Sequence, residues 1–258
     1  MFQLSKWYLD CVTDAGDAAV LYWACLRWGT VRLHYGAALL RPRDGDPVDR
    51  YTLRPGLQPA AAKAGELQWE CKRLDVAGTW LRQASGIERT LIDGSQGSVE
   101  WHCVTPRADA TVRVGGCTLH GTGYVEHLTM TLKPWRLPFN ELRWGRFISP
   151  SQVLVWIDWR GAVPRTWVFA NDGQQRRATL TQNSVELPDD ARVLAFDDGR
   201  VLRSGPLANT ALHSLRAVVA LLPRWRAASE TKWLSRGTLT DPNATSTGWV
   251  LHEVVRWQ

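Results

Sequence analysis

Short runs of alternating apolar and polar residues constrain the fold of this chain more than any other feature of its sequence. Lys6–Val12 alternates in this way and ends at the turn sequence Asp14–Asp17, after which Ala18–Cys25 resumes the pattern. A period of two places successive side chains on opposite faces of a β-strand. Residues 6–25 are therefore predicted to form a β-hairpin.

The same pattern continues through both halves of the chain. Turn sequences such as Arg41–Pro47, Asn171–Gly173 and Asp197–Arg200 separate the alternating runs. The first half supplies about eight short strands and the second half about eight to ten, which is the spacing expected of an antiparallel β-sandwich or barrel. The sequence thus predicts an all-β fold.

The domain organisation follows from the strand count and the length of 258 residues. We predict two β units, residues 1–120 and residues 121–258, although no sequence repeat is visible. Leu207–Leu222 breaks the strand pattern, because its apolar residues fall near helical spacing before Pro223. One short helix is predicted there.

Charge and cysteine content narrow the range of partners and compartments. The formal net charge is +6, but the basic residues are scattered rather than clustered, which disfavours a nucleic-acid partner and leaves peripheral membrane contact open. No apolar run reaches the roughly 18 residues of a membrane-spanning helix, and the first residues lack a signal-peptide pattern. Five widely spaced Cys fit reduced thiols, so a cytoplasmic protein is expected. The oligomeric state stays open.

No cofactor is expected from the motifs. The His and Cys residues nearest in sequence lack a Cys-x-x-Cys pair, and neighbouring strand residues point to opposite faces, so a metal site is disfavoured. Phosphate-binding loops and the Gly-x-Ser-x-Gly elbow of hydrolases are also absent from the sequence. The His and Cys residues in question are His102, Cys103, Cys117, His120 and His127.

Glu126 is the leading candidate for chemistry. Tyr124 and Glu126 share one face of a predicted strand. If that face lines an apolar lumen, desolvation would raise the pKa of Glu126 towards that of a general acid. The alternative is that Glu126 forms an ion pair with Arg143 or Arg146 and supports the fold.

Further candidates are weaker. His127 could act as a base or as a structural residue, Asp10 shares a strand face with Tyr8, and Asp158 either flanks a lumen or ends a strand. Glu230, Lys232, His252 and Glu253 lie near the closing strands. The candidate substrate-binding residues are aromatic or cationic: Tyr124, Trp144, Trp156, Tyr22, Trp23, Trp7 and Arg146.

Short motifs across most of the chain resemble one family. Gly123–His127, Pro134-Trp135 and Leu142–Arg146 resemble the central motif of the AttH-like family, which includes carotenoid hydratases (hydroxyneurosporene synthases) and fungal Diels–Alderase proteins. Lys6–Asp10 is similar to the family's first strand and Gly248–Glu253 to its last strand. Many relatives carry a His-Asp-His-type run where this chain has Val-Glu-His.

The resemblance implies two lipocalin-like β units around an apolar cavity. It also implies an enzyme of terpenoid, carotenoid or polyketide-like metabolism, in which an acid such as Glu126 protonates an alkene or enol ether. Aromatic faces would shelter the resulting cation, and hydration, isomerisation or cyclisation would follow. The 15 Trp residues fit an apolar ligand, with Trp144 and Trp156 as the leading candidates to line its cavity. A non-catalytic carrier of a hydrophobic ligand is the alternative.

Overall fold

The computed structural model describes residues 1–197, 199–207 and 228–257. The chain divides into two compact units, Met1–Leu137 and Pro138–Gln258. The helix predicted over 207–222 lies, from residue 208 onwards, outside the described residues. Within the described part, no helix combines the length and the apolar character needed to span a membrane.

The first unit is one antiparallel sheet of ten strands in the order β4-β3-β2-β1-β10-β9-β7-β6-β5, with β8 paired to β9. The predicted hairpin is its first element, and a short 3-10 helix at Pro134–Arg136 follows its last strand. The strands are β1 (Phe2–Val12), β2 (Ala18–Trp28), β3 (Val31–Arg41), β4 (Val48–Thr52), β5 (Ala60–Lys63), β6 (Glu66–Cys71), β7 (Val76–Arg82), β8 (Ile87–Ile92), β9 (Val99–Val114) and β10 (Cys117–Met130).

The described part of the second unit repeats this topology. Its sheet has the order β14-β13-β12-β11-β20-β19-β17-β16-β15, with β18 paired to β19, so each strand corresponds to the strand numbered ten lower. A second 3-10 helix spans Pro188–Asp190. The strands are β11 (Glu141–Ile148), β12 (Val153–Arg160), β13 (Arg165–Phe169), β14 (Gln175–Arg176), β15 (Thr179–Leu180), β16 (Ser184–Leu187), β17 (Arg192–Phe196), β18 (Arg200–Pro206), β19 (Ser229–Thr240) and β20 (Thr245–Arg256).

The boundary predicted after residue 120 falls inside β10, and the units divide after Leu137 instead. β10 pairs along its length with β1 and β9, so its backbone hydrogen bonds belong to the first sheet. Gly121 is a point of close approach, since a Cβ there would lie 2.2 Å from the carbonyl oxygen of Val12. The glycines near 121 therefore serve strand packing and do not mark a linker.

Each sheet buries an apolar core on one face. In the first unit the core includes Trp7, Leu9 and Trp23, and it extends to Trp80 on β7. The Trp80 indole Nε1 donates a 2.8 Å hydrogen bond to the carbonyl oxygen of Asp10 on β1, although β10 and β9 lie between β7 and β1 in the sheet, so the sheet must curl. The core of the second unit lies around Phe147, Leu154, Trp156 and Val250. The predicted all-β class with two antiparallel units is confirmed.

Gly145 provides a test of core packing in the second unit. A Cβ at Gly145 would lie 2.2 Å from Cζ2 of Trp156, whose ring covers this position in the core. We expect Gly145→Ala to lower the free energy of unfolding by about 1–3 kcal/mol, as overpacking does.

Gly116→Ala is the matched control, because a Cβ there would meet no atom within 4 Å. Its unfolding free energy should stay within about 1 kcal/mol of the wild type. Chemical denaturation of the three proteins measures the difference. Equal stability of both variants would contradict the tight packing of Trp156 over Gly145.

Candidate functional site

A cluster of ionisable and aromatic side chains lies on the face of the first sheet that is opposite to its apolar core. Leu9 and Val125 point into the core, so alternation directs Tyr8, Asp10 and Glu126 to the other face. The strand register sets Tyr8 directly opposite Glu126 and also opposite Tyr22. We call this set the tyrosine–carboxyl cluster; its members are Tyr8, Asp10, Tyr22, Trp101, Cys103, Tyr124 and Glu126.

Two donors hold the carboxyl group of Glu126. Its Oε2 accepts a 2.7 Å hydrogen bond from the indole Nε1 of Trp101 and a 2.8 Å hydrogen bond from the hydroxyl of Tyr124. The side chain is nearly buried, with 8% of its residue surface exposed. Two hydrogen bonds to one oxygen of a buried carboxyl group fix the orientation of that group.

Asp10 supplies a second carboxyl group to the cluster and is fully buried. The hydroxyl of Tyr8 donates to its Oδ2 at 3.1 Å. Asp10 lies opposite Tyr124 in the register, which makes Glu126 its diagonal neighbour on the adjacent strand. Diagonal neighbours in an antiparallel pair are about 7–8 Å apart. The two carboxyl groups thus share one small region of the sheet face.

Tyrosine rings surround these carboxyl groups. The ring of Tyr8 meets the ring of Tyr22 edge-on at a centroid distance of 5.4 Å and that of Tyr124 at 6.0 Å. The ammonium group of Lys6 lies 5.6 Å from the centroid of the Tyr22 ring. Aromatic faces at these distances attract a cation, as Lys6 demonstrates within the protein itself.

The cluster also keeps two of its weak acids protonated. Burial raises the pKa of the Tyr124 hydroxyl well above its ordinary value, and the neighbouring Cys103 and Glu126 add to the effect. Burial likewise raises the pKa of the Cys103 thiol. Tyr124 therefore remains a hydrogen-bond donor at neutral pH, and Cys103 is not a thiolate nucleophile.

Trp7, Trp23 and His127 lie on the core face, so the sheet separates them from Glu126. The imidazole of His127 stacks on Trp7 at a centroid distance of 4.3 Å, and its Nε2 lies 2.8 Å from the hydroxyl of Ser5. Trp23 donates to the carbonyl oxygen of Gly56. Burial, with a smaller contribution from the charge of His102, lowers the pKa of His127 to about 4.

A groove of about 440 Å³ opens beside His127 at the edge of the first sheet. Most of the residues around it are polar, and His102 in it approaches a carboxylate oxygen of Glu88 at 3.5 Å. No group of three or more His, Cys, Asp or Glu residues is arranged to hold a metal ion anywhere in the described ranges. The groove is lined by Glu88, Arg89, Thr90, Glu100, Trp101, His102, His127 and Thr129.

The predicted site residues of the second unit do not form one group. Trp156 lies in the apolar core and stacks on Phe196, whereas Trp144 and Arg146 lie on the opposite face of the sheet. Trp144 and Trp156, both predicted to line a cavity beside Glu126, thus point to opposite faces of the second sheet. Asp158 accepts 2.7 Å hydrogen bonds from Arg160 and Thr166, which is a structural ion-pair arrangement.

The face of the second sheet that carries Trp144 is rich in buried charge. The ammonium group of Lys232, fully buried, lies 5.1 Å from the centroid of the Trp144 ring and forms an ion pair with Glu253. Arg203 and Glu230 form another buried ion pair on β18 and β19. Each of these charges is compensated by a partner of opposite sign.

Trp101 and Cys103 belong to the cluster, although no sequence pattern predicted them as site residues. Cys117 pairs with Val114 next to the β9–β10 turn. If this register continued without a shift along the two strands, Thr105 would lie opposite Glu126. Two register shifts between Gly123 and Glu126 bring Cys103 there instead. Such β-bulges reorient side chains locally, and nothing in the run of residues signals this one.

Comparisons with known proteins identify the fold. No family model matches the chain, and no curated protein matches it in sequence. Among solved structures it is similar to kievitone hydratase from Nectria haematococca, with a TM-score of 0.60 and 9% identity over 98% of this chain and 88% of that one. CghA with Sch210972 is similar over 100% of this chain and 89% of that one, with a TM-score of 0.55 and 11% identity.

A putative AttH from Nitrosomonas europaea has a TM-score of 0.54 and 12% identity over 98% of this chain and 92% of that one. The likeness spans nearly the whole of each protein and shows a common fold. The resemblance to AttH-like proteins that the motifs indicated is thus confirmed at the level of the fold, and with it the lipocalin-like character of the two units.

The pKa of His127 provides a test of the core-face assignment. A histidine with a folded-state pKa of about 4 and an unfolded value near 6.5 binds fewer protons in the folded state between these pH values. The stability of the protein should therefore fall as the pH is lowered from 7 towards 4.

NMR titration of the imidazole resonances measures this pKa, with His127→Asn used to assign the signal. The variant should show a smaller loss of stability between pH 7 and pH 4 than the wild type. A His127 resonance that titrates near 6.5 would contradict its burial against Trp7.

Proposed function

We propose that this protein is an enzyme that binds an apolar small molecule and performs acid-promoted hydration, isomerisation or cyclisation at the tyrosine–carboxyl cluster. The observation that carries the proposal is the buried carboxyl group of Glu126, held on one oxygen by Trp101 and Tyr124. The fold shared with a kievitone hydratase and with CghA bound to Sch210972 supports an enzyme of small-molecule metabolism. We further propose a cytoplasmic enzyme of secondary metabolism.

In the proposed reaction, protonated Glu126 delivers its proton to an alkene or enol ether carbon. The π electrons form the new C–H bond, and the substrate becomes a carbocation while Glu126 becomes a carboxylate. Trp101 and Tyr124 stabilise that carboxylate through hydrogen bonds to Oε2. The rings of Tyr8 and Tyr22 stabilise the cation through their faces.

We propose that Asp10 is the base that accepts a proton in the second step. Asp10 is the diagonal neighbour of Glu126 on the adjacent strand, and residues so placed lie about 7–8 Å apart, so both side chains project from the same region of the sheet face. Tyr8 orients the carboxyl group of Asp10. Asp10 would accept a proton from water that adds to the cation, giving hydration, or from a carbon atom next to the cation, giving isomerisation. Attack by a second alkene of the substrate closes a ring and leaves a new cation, which loses a proton to Asp10. Transfer of that proton from Asp10 to Glu126 through solvent water restores both groups.

The alternative proposal is a carrier that binds a hydrophobic ligand without reaction. The hydrogen bonds that Glu126 already receives from Trp101 and Tyr124 favour it, because a carboxyl group satisfied within the protein also serves as a structural element. A carrier releases the ligand unchanged, so product formation separates the two proposals.

Proton transfer from the protein to the substrate is measurable before the reaction class is known. The purified protein is extracted with organic solvent, and mass spectrometry identifies apolar molecules bound to it. Those molecules, and kievitone as a defined probe, are incubated with the protein in D₂O. Carbon-bound deuterium in the recovered compound reports protonation of a carbon atom, whichever way the cation is quenched. Recovery of every compound unlabelled and unchanged would support the carrier.

Glu126→Gln tests the proposed acid. The amide keeps the shape of the side chain but has no carboxylic proton to deliver, so kcat should fall at least ~100-fold while ligand binding changes little. The matched control is Glu70→Gln, at an exposed position on β6 of the same sheet, which should retain wild-type turnover. Normal turnover by the Glu126 variant would exclude the proposed mechanism.

Trp101→Phe tests the positioning of that acid. The substitution keeps an aromatic ring but removes the Nε1 donor to Glu126, which should lower kcat about tenfold or more. Loss of a hydrogen bond to the carboxylate form should also move the alkaline limb of the pH–kcat profile to higher pH. A reduced kcat with an unmoved profile would indicate a structural role alone.

A further inference from the structure

The β2–β3 hairpin ends in an exposed tip. Arg27–Arg32 are six consecutive exposed residues, and they include the turn at Gly29, whose φ is 59°. Trp28 is 44% exposed and its cross-strand partner Val31 is 52% exposed. Single exposed apolar residues are common, but neighbouring ones that form a contiguous patch often mark an interaction site.

A second tryptophan extends this apolar tip. Trp135, in the 3-10 helix that follows β10, lies with its ring centroid 5.4 Å from that of Trp28. The ammonium group of Lys133 is 5.7 Å from the centroid of the Trp135 ring. Two segments of the first unit that are distant in sequence thus contribute to one aromatic surface. We call it the hairpin-tip patch, formed by residues 26–33 and 131–137.

All charged residues of the hairpin-tip patch are basic. Residues 26–33 and 131–137 contain Arg27, Arg32, Lys133 and Arg136 but no Asp or Glu. None of these four basic side chains has an ion-pair partner among the residues that the structure describes. The positive field reaches His34, whose pKa is lowered by burial and then by Arg32 and Arg27.

We propose that the hairpin-tip patch docks the protein on an anionic lipid bilayer. Tryptophan is favoured at the interface of a bilayer, where its ring lies among the headgroups. Basic side chains beside it are attracted by anionic lipids, and each strengthens binding by about fivefold. Aromatic and basic residues on one protruding tip match both properties of such a surface.

The patch fits a bilayer better than it fits a protein or nucleic acid. Its apolar part is a tip of two residues with a neighbouring indole, which inserts into a fluid interface but offers little area for a protein partner. It presents basic residues around a point rather than along a groove that could follow a nucleic-acid backbone. Binding should be weak, reversible and sensitive to salt, because exposed charges are screened.

Sedimentation with vesicles tests the proposal on the full chain. The protein is mixed with vesicles of phosphatidylcholine alone or of phosphatidylcholine with phosphatidylglycerol, and the pelleted fraction is measured at low and high salt. We expect binding to the anionic vesicles at low salt, at least tenfold weaker binding at high salt, and little binding to the neutral vesicles. Absence of binding to anionic vesicles at low salt would overturn the proposal.

Variants distinguish the patch from the general positive charge of the protein. Arg27→Glu with Arg32→Glu should weaken binding to anionic vesicles at least tenfold, and Trp28→Ala severalfold. The matched control is Lys72→Glu with Arg73→Glu, a double charge reversal at the exposed turn between β6 and β7, at the other end of the same sheet. This control should bind like the wild type.

Equal loss of binding in the control and the patch variant would overturn the proposal, because it would reveal only non-specific attraction. A gel shift with single-stranded DNA that depends on Arg27 and Arg32, without vesicle binding, would overturn it in favour of nucleic acid. Circular dichroism confirms that each variant is folded. These outcomes do not depend on Glu126, so the docking proposal and the enzyme proposal succeed or fail separately.

Discussion

The hydrogen bond from Trp80 to the backbone of Asp10 is the constraint on which the first unit depends. It ties β7 to β1 across the concave side of the sheet, and the indole ring that makes it is fully buried. Gly78 and Gly123 leave the space for this ring, since a Cβ at either would lie within 2.6 Å of it. The backbone of Asp10 accepts the hydrogen bond from Trp80 on the core face, while its side chain belongs to the tyrosine–carboxyl cluster on the opposite face. The curvature of the sheet and the position of the cluster therefore depend on the same residue.

Local patterns were sufficient to predict the fold class and part of the cluster. Period-two alternation identified most strands and set Tyr124 and Glu126 on one face, and it did the same for Tyr8 and Asp10. These successes share a cause, because alternation depends only on neighbouring residues. The first hairpin was found in the same way, from a turn between two alternating runs.

Long-range geometry explains what the sequence could not predict. Alternation alone could not decide whether Trp144 or Trp156 points into the core. In the structure Trp156 belongs to the apolar core and Trp144 lies on the opposite face of the sheet. The bulge that brings Cys103 opposite Glu126 depends on how β9 and β10 fit their neighbours. The division into two units after Leu137 depends on the strand that pairs with β10, and that strand, β1, lies more than a hundred residues earlier in the sequence.

The two units share one strand topology but carry different ionisable side chains at corresponding positions. Gly121 and Gly248 approach Val12 and Ile148 in the same way, which aligns the two sheets residue by residue. Where the first sheet carries Asp10, the second therefore carries Arg146. The position of Cys103 beside Glu126 is likewise that of Lys232 beside Glu253. One scaffold thus supports a face with tyrosines and carboxyl groups and another with buried cations.

The buried thiol of Cys103 is a probe of how often the tyrosine–carboxyl cluster opens to solvent. Because the group is enclosed and protonated, a thiol reagent reaches it only when the sheet face opens. The rate of its modification at neutral pH therefore measures how often that face becomes accessible to solvent. A ligand that enters the cluster and holds it closed would slow the reaction in proportion to its occupancy, whether or not any chemistry takes place.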